Sequence, residues 1–302
     1  MTDIPPEVRN AARVAGVEDW LDDVPAIVES LAHDWSLTTG AVMRGGTEAI
    51  VVEATRTDGS PAVIKLYSPA RADAMASEAT VLRLVAGDGC VRLLDDDVPR
   101  RAMLLERLGP MMSELGLPRG ERHRQLCDAA RQLWRPAADT GLMTGVEKAR
   151  WLVEHIERWW EELDRPCPRA TIDHAVACAA RRVAAHDDRR ARLVHGDVHQ
   201  WNALQTLDGS AFKLVDPDGL IAEPEYDLGV TMREDPGEDD LRQRANTLAA
   251  LTGTDAQAIW EWGQIERVST ALLGTLEGLQ PGSRLMLDDA NRCAISDRGS
   301  DV

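Results

Sequence analysis

The chain has 302 residues, of which 44% are hydrophobic, so it is long enough for one large core or for two lobes. Its formal net charge of −17 repels nucleic acid and attracts cations. The sequence contains no apolar run that could span a bilayer and no signal-peptide pattern, which favours a cytoplasmic protein without nucleic-acid, membrane or obligate protein partners. Five scattered cysteines argue against a disulfide framework or a zinc site.

The first part of the chain predicts helices followed by strands. Apolar residues recur at helical spacing between Val24 and Leu31. Between residues 40 and 105 the pattern changes to five strands and one helix. The pair Gly45-Gly46 lies in a turn before two apolar strands, residues 49–54 and 62–66. Taken alone, this glycine pair is only a hairpin signal.

Lys65 lies near the end of the second of these strands and is one of only three lysines among 34 basic residues. Ammonium and guanidinium groups are not interchangeable, so a lysine kept in an arginine-rich chain indicates a chemical role. The alternative is a strand lysine whose amine simply reaches solvent. Residues 71–86 predict the next helix, with Glu78 beside its apolar stripe.

The rest of the chain is mostly helical. Strands at residues 91–94 and 102–105 end the β-rich part, so we predict two domains, residues 1–105 and 106–302. Helical periodicity recurs in five later segments, which are residues 121–134, 147–163, 169–186, 241–251 and 256–279. Trp159 and Trp160 are neighbours on the second of them, so we do not expect both to face inward. Residues beyond Arg292 are polar and predict a frayed end.

The stretch between Leu193 and Asp216 combines three groups that phosphoryl transfer from ATP requires. Asp197 is a candidate base, and Asn202 and Asp216 offer the hard oxygen atoms that Mg²⁺ prefers. The spacing from Asp197 to Asn202 is that of the kinase catalytic loop, D-x-x-x-x-N. Short apolar runs at residues 193–194 and 212–215 predict two adjacent strands that present these groups. Each residue alone would indicate only a turn.

The wider run HGDVHQWN, followed by VDPDGLIAEPEYD, resembles the aminoglycoside phosphotransferases. It looks most like the branch of streptomycin 6-kinases and hydroxyurea phosphotransferases. This resemblance implies a bilobal, protein-kinase-like α+β fold, with a small antiparallel β lobe and a larger helical lobe. ATP with Mg²⁺ would bind between the lobes, and GTP stays an alternative donor.

The resemblance also implies roles for residues around the nucleotide. Lys65 would contact the phosphates and pair with Glu78, with Glu53 as a competing carboxylate. Gly45 and Gly46 would cover the phosphates, although the full glycine pattern of protein kinases is absent. Glu106 and Leu108 mark the position of a hinge that would bind adenine through backbone groups. His195 would brace the catalytic loop, and Asp227 would serve as a helix N-cap or loop anchor.

The acceptor is predicted to be a small molecule. Only eleven positions separate Asp216 from Asp227, which leaves no room for the activation segment with which protein kinases seat a peptide. The resemblance implies an acceptor such as streptomycin, with Trp201, Asp218 and Glu261 as candidate contacts. The acidic clusters of the chain indicate either attraction of such a cation or only a soluble charged surface. The alternatives are a kinase of a sugar or a hydroxyurea-like metabolite, and a nucleotide-binding pseudokinase without activity.

Overall fold

The computed structural model of the protein describes residues 4–43, 49–137, 139–237 and 240–299, with side chains up to residue 297. The chain forms two compact units. The first contains Met1–Met111 and Leu204–Asp218, and the second contains Met112–Ala203 and Gly219–Val302. The domain boundary after residue 105 stays a prediction, and it did not anticipate that a later stretch, Leu204–Asp218, belongs to the first unit.

The first unit is built around a five-stranded antiparallel sheet in the order β1-β2-β3-β5-β4. Its strands are β1 (Leu37–Val42), β2 (Ala49–Arg56), β3 (Pro61–Tyr67), β4 (Leu93–Asp97) and β5 (Ala102–Glu106). Its helices are α1 (Pro6–Val14), α2 (Trp20–Asp34) and α3 (Ala72–Val85). The predicted α+β class is confirmed, because an antiparallel N-terminal sheet precedes a helical C-terminal part.

The two faces of β3 have different neighbours, and this difference positions Lys65. Ile64 and Leu66 belong to a core that also contains Val28 of α2. Side chains alternate between the faces of a strand, so Lys65 and Tyr67 point together to the opposite face. That face is where Glu78 of α3 meets Lys65. The alternation thus separates the structural face of β3 from its chemical face.

The later stretch of the first unit contains β9 (Phe212–Leu214), which pairs with β8 (Ala203–Gln205). Both backbone groups of Leu214 are hydrogen-bonded to the segment before β4. Its N–H donates to the Gly89 carbonyl, and its carbonyl accepts from the Val91 N–H, each at 2.8 Å. The predicted pairing of residues 193–194 with 212–215 is therefore wrong. Strands of three residues hold too little periodicity to indicate their partners.

The second unit is mainly helical. Its helices are α4 (Arg119–Leu133), α5 (Gly145–Glu162), α6 (Arg169–Ala185), α7 (Glu225–Thr231), α8 (Leu241–Thr252), α9 (Ala256–Leu276) and α10 (Gly282–Gly299). Three short strands form its sheet, which are β6 (Met143–Thr144), β7 (Arg192–Val194) and β10 (Leu220–Ala222). Helix α9 contributes to two hydrophobic clusters of this unit. Within the described ranges, no helix combines the length and hydropathy needed to cross a membrane.

The frayed C-terminal end predicted beyond Arg292 is wrong, because this region continues helix α10. Leu287, Ala290 and Ala294 of this helix are buried. Their spacing of three and four residues is helical, but two of the three are alanines, so the apolar stripe is weak in the sequence. Packing against the rest of the unit stabilises a segment whose own composition gives little sign of a helix.

Candidate active site

In the first unit, Lys65 is enclosed by two carboxylates. Its Nζ atom lies 2.9 and 2.7 Å from the two carboxylate oxygens of Glu78 and 2.6 Å from Oδ1 of Asp216. The Lys65 side chain is only 8% exposed. The competing carboxylate, Glu53, instead pairs with Arg107 at 2.9 Å. Burial alone would lower the pKa of Lys65, but Asp216 and Glu78 raise it well above its ordinary value, so the amine stays charged.

Tyr67 completes this group and was not identified from the sequence. Its hydroxyl donates a hydrogen bond to Oε2 of Glu78, and the Lys65 Nζ atom lies 4.8 Å from the centre of its ring. The side chain is buried, and burial raises the pKa of the hydroxyl well above its ordinary value. The strand period of two was the available signal, because Tyr67 follows Lys65 on the same face of β3.

Asp216 lies two residues beyond the end of β9, and its backbone has a left-handed conformation with φ of 57°. Aspartate adopts this region more readily than most residues other than glycine, and such conformations recur at functional sites. The side chain is 54% exposed although one oxygen binds Lys65. A second carboxylate on the following turn, Asp218, is also exposed. The turn thus presents two carboxylates to solvent.

Two further predicted residues of the first unit, Glu106 and Leu108, lie at the end of β5 and just beyond it. Glu106 accepts hydrogen bonds from the Arg92 N–H at 2.7 Å and from the Lys213 amine. Leu108 is buried. Gly45 and Gly46 lie outside the described residues. These contacts give the carboxylate of Glu106 a structural role.

In the second unit, both carboxylate oxygens of Asp197 are bound by side chains. Arg233 donates to Oδ1 at 2.5 Å, whereas Oδ2 lies 3.0 Å from Nε2 of His199 and accepts from Nδ2 of Asn202 at 2.9 Å. Burial alone would raise the pKa of Asp197, but His199 and Arg233 hold it well below its ordinary value. Asp197 is therefore an oriented carboxylate that stays ionised.

The orientation of Asn202 suits a metal ligand. Its Nδ2 atom donates both to the Asp197 carboxylate and, at 3.2 Å, to the Asp197 carbonyl. The amide oxygen is left as the acceptor atom, and Asp216 offers an exposed carboxylate. Mg²⁺ is commonly bound by one or two protein oxygens together with phosphates and water, so the amide oxygen of Asn202 and the carboxylate of Asp216 are each a ligand type that fits it. The described residues contain no cluster of three His, Cys, Asp or Glu side chains that would form a metal site of protein ligands alone.

Residues 225–234 hold the catalytic loop, residues 195–202, through a series of contacts. Asp227 accepts hydrogen bonds from the backbone N–H groups of His195 at 3.1 Å and Gly196 at 2.8 Å. Thr231 donates to the Val198 carbonyl at 3.0 Å. Glu234 accepts from the Gln200 N–H at 2.7 Å. With Arg233 on Asp197, four side chains from one short segment fix the loop.

Asp227 holds the loop from within α7. It is the third residue of that helix, and Pro224 occupies the N-cap position. Its carboxylate also accepts from Nε1 of Trp134 at 2.8 Å. The side chain is fully buried, and burial raises its pKa despite these donors. Of the two roles predicted for Asp227, the contacts are those of a loop anchor and not of an N-cap.

Three further predicted residues of the second unit have distinct environments. His195 is fully buried, and its Nδ1 atom accepts from the Asp197 N–H at 3.2 Å, so it braces the loop internally. Trp201 is 54% exposed, with its ring centre 5.6 Å from that of His199. The Glu261 side chain is only 2% exposed and pairs with Arg181 and Arg182, each at 2.5 Å. Its contacts are those of an interior ion pair.

Comparisons with known proteins identify the relatives of this chain. The model of a family described as aminoglycoside/hydroxyurea antibiotic resistance kinase matches residues 34–261. A streptomycin 6-kinase of Streptomyces glaucescens is 29% identical over 281 residues, covering 88% of this chain and 89% of that protein. A hydroxyurea phosphotransferase of Kitasatospora aureofaciens is 27% identical over 251 residues, covering 82% and 72%.

Solved structures extend the similarity of fold. The choline kinase LicA from Streptococcus pneumoniae has a TM-score of 0.63 at 12% identity, covering 90% of this chain and 99% of that chain. A thermostable mutant of the aminoglycoside phosphotransferase APH(4)-Ia also gives 0.63, at 16% identity, covering 89% and 98%. At such identities the likeness concerns the fold alone.

Proposed function

The chain belongs to the family of aminoglycoside/hydroxyurea antibiotic resistance kinases, and from this premise we propose that it transfers the γ-phosphoryl group of ATP to a hydroxyl group of an aminoglycoside such as streptomycin. Membership makes it a phosphotransferase with a hydroxyl acceptor, which disfavours the inactive pseudokinase considered above.

The strongest support is the environment of Asp197. A base for phosphoryl transfer must accept or orient the proton of a hydroxyl group, and its orientation matters because the transition state is loose. Arg233 fixes one oxygen of Asp197, and His199 fixes the other. A carboxylate held at both oxygens cannot rotate freely, so its lone pairs keep one direction. We assign the catalytic base to Asp197.

Other residues serve the donor nucleotide in this proposal. Lys65, held by Glu78, binds the phosphates, as its charge and its enclosure by carboxylates suit. Asn202 and Asp216 would each offer an oxygen ligand to Mg²⁺. When bound, Mg²⁺ neutralises charge on the phosphates. The backbone near Glu106 and Leu108 binds the base of the nucleotide.

The proposed acceptor is cationic. The net charge of −17 attracts cations over a distance. Two relatives are named streptomycin 6-kinase, from Streptomyces glaucescens and Streptomyces griseus, and the second is 30% identical over 210 residues, 69% of this chain and 66% of that protein. The exposed ring of Trp201 offers a face to a cationic group, and Asp218 offers a carboxylate. Glu261 is left out, because both its oxygens face arginines.

The test is an acceptor screen. Purified protein with Mg²⁺ and ATP is incubated with streptomycin, spectinomycin, hydroxyurea and common sugars, and both ADP release and phosphorylated product are measured. We expect product with streptomycin and none with the Asp197→Asn variant. GTP in place of ATP then tests the donor.

The control for that variant is Asp173→Asn, which makes the same change on the exposed surface of α6. It should retain full turnover. Product from hydroxyurea or a sugar with none from streptomycin would overturn the antibiotic acceptor while leaving the phosphotransferase. ADP release that no acceptor stimulates would count against all the proposed acceptors.

A further inference from the structure

Arg233 links the proposed catalytic base to helix α9. It lies two residues after the end of α7, and its side chain is 17% exposed. One guanidinium nitrogen, Nη2, donates to Oδ1 of Asp197 at 2.5 Å. The other, Nη1, donates to the Thr270 hydroxyl at 2.9 Å and to Oε2 of Glu266 at 3.4 Å. The same side chain therefore binds the catalytic loop and α9 at once.

The partners of Arg233 on α9 are themselves held in place. Glu266 is buried, and its other oxygen, Oε1, accepts a hydrogen bond from the Tyr226 hydroxyl of α7. A guanidinium group is planar, with its nitrogen atoms in a rigid fork. When Nη1 is fixed by Thr270 and Glu266, the direction of Nη2 is fixed as well. The position of Oδ1 of Asp197 is thus set by contacts outside the catalytic loop, whereas His199 and Asn202 within the loop hold Oδ2.

We propose that Arg233 is a positioning residue for the phosphoryl transfer, which aligns the Asp197 carboxylate by transmitting the position of Thr270 and Glu266. The inference rests on the proposed role of Asp197 as base. Without Arg233, His199 and Asn202 still hold Oδ2, but Oδ1 loses its partner and the carboxylate can rotate about its bond to Cβ. The base stays present and becomes misaligned.

The first experiment separates turnover from binding. Arg233→Met removes the charge and the fork while keeping most of the volume, and it should lower kcat by about 100-fold, as misplaced reacting groups commonly do. The KM for ATP should stay near the wild-type value. Arg233→Lys keeps the charge but cannot bind Asp197 and the α9 residues at the same time, so its decrease in kcat should be smaller than that of Arg233→Met. Thr270→Val, which removes only a hydroxyl, should also lower kcat without changing KM.

The control is Arg100→Met in the first unit. Arg100 has the same kinds of partners as Arg233, which are two carboxylates, Asp97 at 2.6 Å and Asp34 at 2.8 Å, and one hydroxyl, Ser30 at 2.8 Å. None of these residues belongs to the catalytic loop. This variant shows what the loss of such an ion-pair network does to folding alone, and its kcat per folded molecule should equal that of the wild type.

The second experiment does not depend on turnover. Thermal unfolding of Asp197→Asn, Arg233→Met and the double variant measures whether the two side chains are coupled. We expect the double variant to lose less in Tm than the sum of the single losses.

Additive losses would overturn the contact on which the proposal rests, whatever the acceptor is. Coupling together with an Arg233→Met variant whose kcat equals that of the wild type would overturn the positioning role. Coupling in a wild-type protein without turnover would count against the proposed function and, with it, the positioning role.

Discussion

Glu78 connects two neighbouring side chains of strand β3, because its carboxylate accepts hydrogen bonds from both Lys65 and Tyr67. The ammonium group binds both oxygens of Glu78, and the Tyr67 hydroxyl donates to one of them. A buried carboxylate is costly unless its hydrogen-bonding capacity is filled, so the tyrosine helps to keep Glu78 ionised beside the lysine. The ammonium group also binds Oδ1 of Asp216, so Glu78 and Asp216 together hold its position.

Tyr67→Phe should lower catalytic efficiency by weakening the hold on Lys65. The substitution removes one hydrogen bond to a buried charged group, worth about 1.5–3 kcal/mol, while keeping the ring under the ammonium. We expect a higher KM for ATP and a lower Tm. Steady-state kinetics and thermal unfolding measure the two effects.

The comparison for Tyr67→Phe is Tyr226→Phe in the second unit, whose hydroxyl also donates to a buried glutamate, Glu266. Both variants should lose stability. If the role of Tyr67 is to hold Lys65, its variant alone should raise the KM for ATP. Equal KM values in the two variants would contradict that role.

The sequence was informative about residues whose chemistry is unusual for their position. Lys65 was predicted from its rarity, and Asp197 and Asn202 from their spacing in a known catalytic pattern. Arg233 could not be found in this way, because it is one of many arginines and its partners, Asp197 and Thr270, lie 36 and 37 positions away along the chain. Pairings of common residues over such distances leave no periodic signal.

Helix α7 owes its position to a glycine that packs directly against α9. A Cβ atom built on Gly229 would lie 2.3 Å from Cβ of Trp262 and 3.0 Å from the backbone nitrogen of Gly263. The first of these distances is far below any van der Waals contact. Only glycine therefore allows α7 to approach α9 this closely, and the residues that hold the catalytic loop depend on that approach.

Gly229→Ala is expected to destabilise the protein, although alanine is favoured over glycine in helices by about 1 kcal/mol. The added methyl group overpacks the contact with Trp262, at a typical cost of about 1–3 kcal/mol and sometimes more. Because α7 would shift, kcat should fall as well. Urea unfolding and steady-state kinetics measure these changes.

The matched substitution for Gly229→Ala is Gly120→Ala in α4, where nothing lies within 4 Å of the added Cβ atom. That variant should be unchanged or more stable, because only the helix propensity differs. A Gly229→Ala protein as stable as Gly120→Ala would contradict the packing argument.

Long elements with a strong period were predicted well, whereas short or weakly patterned ones were not. The helix assigned to residues 71–86 is observed as Ala72–Val85, with Met75, Ala79, Leu82 and Val85 buried. In contrast, β7 and β9 were paired with the wrong partners. The expectation that Trp159 and Trp160 would not both face inward is wrong, because both side chains are buried. The segment after α5 covers Trp160, whose Nε1 donates to the Cys167 carbonyl. Neighbours on a helix can both be covered when the chain folds back over it.

The stability of the folded chain should depend on pH through a buried histidine. His123 of α4 is buried, and among the described residues its Nε2 atom has no hydrogen-bond partner. Oε2 of Glu234 lies 3.9 Å from this atom, which is too far for a hydrogen bond. Burial and the charges of Arg244 and Arg122 lower the pKa of His123 from 6.5 to about 4. The folded protein therefore binds this proton less readily than the unfolded chain does.

This difference predicts a loss of stability as the pH falls from 6.5 to about 4. In that range the imidazole of His123 is protonated in the unfolded chain but neutral in the folded protein, so the free energy of unfolding decreases as the pH falls. Below the lower value both states are protonated and the contribution becomes constant. His123→Gln should reduce the slope by at most about 1.4 kcal/mol per pH unit, the value for one proton. Urea unfolding at several pH values measures it.

The control for this measurement is His33→Gln, because His33 is exposed at the end of α2. It should leave the slope unchanged. Carboxylates also titrate in this range, so only the difference between the two variants isolates His123. Equal slopes in both would show that His123 does not supply the pH dependence.

The scarcity of lysine has a practical consequence. Acylating reagents modify amines, and this chain offers only Lys65, Lys148 and Lys213 besides its terminus. Lys148 and Lys213 are half-buried, on α5 and β9, whereas Lys65 is enclosed by Glu78 and Asp216. Isotope-coded acylation followed by mass spectrometry would therefore compare the buried amine of Lys65 with that of Lys148 as the internal standard, because Lys213 contacts Glu106 beside the proposed nucleotide site. A bound nucleotide that protects Lys65 would lower the acylation of the one peptide that contains it.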